Sequence, residues 1–232
     1  MNQPSVESII TILTHWTVKT RVVWLLLLPL CAFSDSGTFD RNVKSGAEAV
    51  GRHQFQEAEW SLRAALSEAE GFAENDPRVR KVLNALIEVY RIEGKYAEAE
   101  PLLERMVAFD ERTAGEDTFR LADTLEDQGQ VLLATGQGDR AEQAFRRALG
   151  IREETLGADN EALIEPLHNI IRALQAQEKF ADAEPLAQRA IRIRAAKQGP
   201  EASDVAAEFS LLARLYAALG KFAEAAAPLE SA

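Results

Sequence analysis

Cysteine is almost missing from this chain, with Cys31 the single example in 232 residues. Histidine is scarce as well, limited to His15, His53 and His168. Together these shortages exclude an internal disulfide framework and a Cys/His zinc cluster. Positive charge is short too: 26 Lys and Arg stand against 37 Asp and Glu, for a net charge of −11. Sequence-independent nucleic-acid binding is driven by neutralising phosphates, so no nucleic-acid partner is expected. The N-terminal apolar run Val22 to Ser34 is only thirteen residues, against the roughly 20 that a membrane-spanning helix needs. Glycine-rich phosphate loops, His-Glu-x-x-His, Gly-x-Ser-x-Gly and calcium-loop aspartate clusters are all lacking, which removes the motif-bearing enzyme classes. What is present is ordinary for a folded chain: 47% hydrophobic and 27% charged residues, neither disordered nor fibrous in composition.

Residues 1–34 differ from the rest. Lys19 and Arg21 precede the apolar core at residues 22–33, and Ser34-Asp35-Ser36-Gly37 follows it. That order of charge, short core and small polar residues is the layout of a secretory signal peptide, with cleavage before Asp35. Two other readings stay open. An uncleaved anchor would be stretched by Trp24 and the flanking apolar residues, and only then would the membrane be a partner. A lipoprotein would use Cys31, although Leu30 stands where a small residue is wanted. Export places the body, residues 35–232, in the periplasm or the medium. The lack of any cysteine after residue 34 suits an oxidising compartment.

The body repeats itself. His53-Gln-Phe55-Gln-Glu-Ala58-Glu, Gly94-Lys-Tyr96-Ala-Glu-Ala99-Glu, Gly136-Gln-Gly138-Asp-Arg-Ala141-Glu, Glu178-Lys-Phe180-Ala-Asp-Ala183-Glu and Gly220-Lys-Phe222-Ala-Glu-Ala225-Ala align, at intervals of 41, 42, 42 and 42 residues. Such a fixed period is the mark of a repeat architecture. Each unit resolves into two amphipathic helices. Before the turn, Leu83, Leu86, Ile87 and Tyr90, and likewise Leu167, Ile170, Ile171 and Leu174, recur at helical spacing. After it, alanines at 58, 65, 99, 141, 148, 183, 190 and 225 mark where helices approach closely. Asp76-Pro77, Asp159-Asn160 and Ser203-Asp204 supply helix starts. Pro101, Pro185 and Pro228 are read into the first turns of second helices, and Pro166 either kinks its helix or marks a start near Glu165.

These motifs resemble the tetratricopeptide repeats, in the 42-residue variety similar to kinesin light chain. Leu83-Asn84-Ala85-Leu86, Gly94-Lys95-Tyr96-Ala97-Glu98-Ala99-Glu100, Arg147-Ala148-Leu149 and Leu156-Gly157-Ala158-Asp159 carry the likeness, which runs over about residues 38–232. The resemblance implies an all-α fold, a right-handed α-solenoid of about five helix pairs, and a non-catalytic scaffold that binds a peptide or partner protein in a concave groove. It departs from the family at Gly46 and at Gly138, and both units are expected to be looser unless the space is refilled.

Catalytic residues, metal ligands and cofactors are not expected. His53 and His168 lie 115 residues apart, and no serine stands at helical-neighbour spacing to His168. Paired acids such as Glu57/Glu59 and Glu98/Glu100 start second helices, where they complement the helix dipole. The resemblance puts groove positions beside the core leucines of each first helix: Lys81, Asn84, Glu88 and Arg91; Glu126, Gln130 and Leu133; His168, Arg172 and Gln175; Ser210 and Arg214. Asn84, Glu88, Gln130, His168, Asn169, Arg172 and Arg214 are the partner-binding candidates. Asn84 matches the family asparagine that grips a peptide backbone, and Asn169 is shifted by one. Arg172 and Arg214 offer two guanidiniums to a carboxylate. The family version that clamps a terminal carboxylate needs lysine and asparagine where Glu88 and Glu126 stand, so that subtype is not implied.

The last unit is short, with ten residues after Phe222, and repeat stacks normally end in a polar cap. The expectation is either a homo-oligomer formed tail to tail through Phe222, Leu229 and the outer face of the Phe209–Leu219 helix, or a chain that is a piece of a longer protein.

Overall fold

The computed structural model describes residues 37–113, 115, 118–198 and 203–225. The apolar N-terminal segment, Pro228 and Leu229 lie outside the described residues. Among the described residues are nine α-helices and one 3₁₀ turn, with no strand. They fall into two compact units, divided after Lys95. The first holds α1 (Gly37–Gly51), α2 (Phe55–Ala69) and α3 (Pro77–Glu93). The second holds α4 (Tyr96–Thr113), α5 (Thr118–Ala134), α6 (Gly138–Leu156), the 3₁₀ turn Glu161–Leu163, α7 (Ile164–Ala176), α8 (Phe180–Gln198) and α9 (Ser203–Ala218). Another helical turn begins at Phe222. No helix among the described residues is long and apolar enough to cross a membrane.

One turn geometry closes every first helix. An amide two or three residues past the helix end donates to the carbonyl five residues back: Gln54 to Ala49, Lys95 to Tyr90, Gln137 to Leu132, Lys179 to Leu174 and Lys221 to Tyr216, at 2.8–2.9 Å. This bond requires a left-handed residue just before it. Glycine fills that place at 94, 136 and 220, but His53 and Glu178 adopt φ of 58° and 59° there. A side chain in that region costs free energy that glycine does not. Glu178→Gly is therefore expected to raise stability by about 0.5–1 kcal/mol, read from the denaturation midpoint.

Burial follows the predicted periodicity. Leu83, Leu86, Ile87 and Tyr90 are buried in the first unit, and Leu167, Ile170, Ile171 and Leu174 in the second. Ala58, Ala99, Ala141 and Ala183, the alanines after the first four turns, lose all exposure, as close helix approach demands. Asp76 and Asn160 cap their helices, each accepting a 2.9 Å bond from the amide two residues on. Pro166 is the third residue of α7, where no helical donor is missed, so the later start is the correct alternative. Pro101 and Pro185 are each the sixth residue of their helix, one turn deeper than expected. The carbonyls they leave unbonded belong to Ala97 and Ala181, both in exposed positions open to water.

The two departures from the family are not loose. A Cβ on Gly46 would lie 2.6 Å from Leu62 Cγ, and one on Gly138 would lie 2.8 Å from Gln177 Cγ. In each case a neighbouring side chain occupies the space the larger residue would have taken. Gly129 is closer packed still: its Cβ would meet the Phe145 ring at 2.5 Å.

Candidate functional site

First helices of a repeat present one face to their own second helix and leave the opposite face open. In the second unit that open face repeats residue for residue. Asp123, Gln130 and Ala134 on α5 are exposed, as are Glu165, Arg172 and Ala176 on α7, and Ala207, Arg214 and Ala218 on α9. The spacing within each helix, seven and then four residues, keeps the three on one side. Across the helices they form three rows at the 42-residue period: Asp, Glu, Ala; then Gln, Arg, Arg; then three alanines. The row of Gln130, Arg172 and Arg214 contains three of the predicted contacts. The flanking rows were missed. Alanine on a helix reads as a packing residue, and nothing in a single unit shows that these three face outward.

The row through Glu126, His168 and Ser210 is half-buried and used between helices. Glu126 accepts from Arg152 at 2.7 Å, and the same guanidinium reaches Asp123 at 2.6 Å. His168 Nε2 donates to Glu208 Oε2 at 2.7 Å, since an ionised carboxylate can only accept. Glu208, on α9, is 3% exposed and also receives Arg194 Nη2 at 3.2 Å. His168 thus ties α7 to α9 and is not a free groove contact. Asn169, expected as a partner contact, is 1% exposed, and its Oδ1 accepts from Arg172 Nη2, so it holds the guanidinium above it. Arg172 is 55% exposed and has a second, weak contact to Glu165 at 3.4 Å. Arg214 makes no ion pair among the described residues.

In the first unit, Asn84 and Glu88 are half-buried on α3, with Glu88 paired to Arg91 at 2.9 Å. Burial holds the Lys81 pKa below its ordinary value. Trp60, 72% exposed on α2, lines a surface cleft with Gln56, Glu59, Arg63 and Ala64. Neither Trp60 nor the cleft was anticipated.

The acid pairs do more than complement dipoles. The acid at the second position, which in the third repeat follows Arg140 instead of an acid, reaches the turn that follows: Glu59 takes Lys95 at 2.7 Å, Glu100 takes Gln137 at 2.7 Å, Glu142 takes Gln177 at 3.2 Å, and Glu184 takes Lys221 at 3.1 Å. Tyr90 and Tyr216 donate to Glu59 and Glu184 as well. Each unit's turn is thereby fastened to the preceding second helix.

Two further polar pairs share a register. Asp110, Arg152 and Arg194 are 42 residues apart, and so are Thr124, Pro166 and Glu208. Thr124 donates to the fully buried Asp110 at 2.7 Å, and Arg194 donates to Glu208. The carboxylate has changed sides between the two junctions. At the middle register position Pro166 offers no polar side chain, and Arg152 bonds to Asp123 and Glu126 of α5.

Burial pushes the Glu208 pKa up, but the bonds from His168 and Arg194 outweigh it and hold the carboxyl below the ordinary glutamate value. A depressed folded pKa contributes stability above the unfolded value of about 4.3 and loses it as pH falls through the folded one. Protection of α9 amides should therefore fall below about pH 4. In Glu208→Gln that acid-dependent step should vanish. Glu126 has the opposite sign: its burial outweighs Arg152 and raises its pKa, so its contribution diminishes as pH rises.

Helix pairs with these turns, a small-residue seam and an open first-helix face define an α-helical repeat protein. The tetratricopeptide repeat family model matches residues 78–154 and 162–232, and the chain belongs to that family. Among solved structures it is similar to the "kinesin light chain nearly identical TPR-like repeats" of Podosopora anserina, at 23% identity and a TM-score of 0.69, covering 85% of this chain and 95% of that one. BtubC (BKLC) from P. vanneervenii is similar at 21% identity and a TM-score of 0.64, with 81% and 75% covered. MamA is similar at 15% identity and a TM-score of 0.62, with 84% and 89% covered. No curated protein sequence matches. The fold supports a protein–protein interaction scaffold.

Proposed function

We propose that this protein is a non-catalytic scaffold and that the open face of its first helices seats a peptide or a partner protein. The observation that carries the reading is the threefold recurrence of the same exposed positions on α5, α7 and α9. Repeat stacks bind partners along surfaces of this kind. Capture from the native source with the full chain tests it, against the triple variant Asn84→Ala/Arg172→Ala/Arg214→Ala. Partners recovered by the wild type should be lost by the variant. Equal recovery by both contradicts the reading.

Export is part of the same proposal. Residues 22–33 act as a signal peptide, and N-terminal sequencing should find a mature chain beginning near Asp35; an intact precursor in the cytosol is the contrary result. One observation favours a second reading, association of copies end to end. Phe222 is 73% exposed, whereas Phe55, Tyr96 and Phe180 at the same position are half-buried. Sedimentation over a concentration series should then show a dimer that Phe222→Ser removes.

A further inference from the structure

The middle row of the open face is unlike the rest of this acidic chain. It runs Gln130, Arg172, Arg214, so two guanidiniums stand at the same repeat position on α7 and α9. Many arginines of the second unit are already matched, although Arg105, Arg112 and Arg192, all on second helices, also have no ion pair among the described residues. Arg140, Arg147, Arg152, Arg189 and Arg194 each hold carboxylates, at 2.5–3.7 Å. Arg214 has no such partner among the described residues, and Arg172 has only the 3.4 Å contact to Glu165, itself 71% exposed.

Two features beside these arginines bear on what could reach them. First, Ala176 and Ala218 lie one turn further along the same face and are exposed. A row of methyl groups lets an extended chain approach without steric obstruction. Second, Asn169 is almost completely buried and accepts from the Arg172 guanidinium. A buried amide spent on orienting a surface guanidinium limits the orientations it samples, which lowers the entropy lost when it binds a second acceptor. His168, on the same helix one turn earlier, is bonded to Glu208 of α9, and this brings α7 and α9 alongside each other.

Resting on the reading of this face as a partner surface, we infer that it takes an acidic extended segment, whose side-chain carboxylates seat on Arg172 and Arg214. Asn169 is the positioning residue that aims Arg172. Helices packed side by side are about 8–10 Å apart, and an extended chain advances about 3.3 Å per residue. The two carboxylates therefore stand two or three residues apart in the partner. Side-chain carboxylates are meant, not a chain terminus. The protein's own −11 charge does not forbid this, because at physiological ionic strength charges further off than about 8 Å are largely screened. Arginine suits the task better than lysine, since its planar fork can hold a carboxylate through two parallel bonds.

The test uses the full chain and fluorescent decapeptides with amidated C-termini, carrying Glu at every third position, or Gln at the same positions, on a Gly/Ser background. Anisotropy should show the Glu peptide binding at least about ten-fold more tightly than the Gln peptide, with the difference shrinking as salt rises. Arg172→Ala/Arg214→Ala should abolish that difference, and Arg172→Lys/Arg214→Lys should restore only part of it. Asn169→Ala should weaken Glu-peptide binding with Arg172 still present, and should add nothing in an Arg172→Ala background. The thermal midpoint of Arg214→Ala alone should match the wild type, since its guanidinium is exposed and holds no buried group, and that single variant should already reduce the Glu-over-Gln preference. Equal binding of the Glu and Gln peptides, or an unchanged preference in the double alanine variant, overturns the inference. Ala176→Trp/Ala218→Trp separates this failure from failure of the scaffold reading. If the bulky variant loses the native partner while neither peptide binds, the face is used but not by an acidic segment, and the inference is wrong alone. If the bulky variant also keeps the native partner, both fail.

Discussion

Phe145→Ala is expected to lower the free energy of unfolding by about 3–5 kcal/mol, the largest effect of any single side-chain truncation in the second unit. The ring is 1% exposed and belongs to the cluster that also holds Leu132, Leu167, Ile170 and Leu174. Its edge rests where a Cβ on Gly129 would be, at 2.5 Å, so Gly129 of α5 and Phe145 of α6 are one fitted pair. Truncating the ring leaves a cavity that two rigid helices cannot close. Gly129→Ala attacks the same contact from the other side and should cost about 1–3 kcal/mol through overpacking. Urea denaturation with an unchanged slope checks both. A loss below about 1 kcal/mol for Phe145→Ala would mean that α5 and α6 re-pack freely.

Glu208→Ala should be nearly as damaging, at about 3–5 kcal/mol, because it removes one partner of a buried ionic group and leaves the other. The carboxyl is 3% exposed and is bonded to both His168 and Arg194. Without it, Arg194 keeps only longer contacts to Glu161 and Asp204, at 3.7 and 3.6 Å. Hydrogen exchange should report the loss locally, with α9 amides deprotected before those of α5. Glu208→Gln should cost less, since the amide oxygen still accepts from Arg194 while its NH2 can donate to the other neutral tautomer of His168. Uniform deprotection of α5 and α9 together would show that the cluster does not act on α9 in particular.

The spacing of Phe55, Tyr96, Gly138, Phe180 and Phe222 was enough to place the turns, and hence the helices, because every turn repeats one hydrogen-bond geometry. The buried alanines were legible for the same reason. Contacts between units were not. That Gln177 fills the space at Gly138, or that Glu142 holds Gln177, depends on residues more than 30 positions apart whose meeting no local pattern announces. Glu59 and Glu100 looked like dipole partners because a single helix gives a carboxylate near its start that role already; their bonds to Lys95 and Gln137 come from the neighbouring repeat. The open face was legible only in its middle row, which follows from the family's pattern; the alanine row at 134, 176 and 218 carries no signal within a single repeat. Asn169 is shifted by one position from the family's asparagine, and on a 100° step that turns it inward, where it lies under Arg172.

Site-specific photocrosslinking tests most directly the proposal that partners meet the open face of α5, α7 and α9. A benzophenone side chain placed singly at Gln130, Ala176 or Ala218 should yield a crosslinked partner in the native source, and the same probe at Glu104 or Arg146, exposed on the second helices α4 and α6, should yield none. Adducts at Glu104 and Arg146, with none at the three first-helix positions, would contradict it.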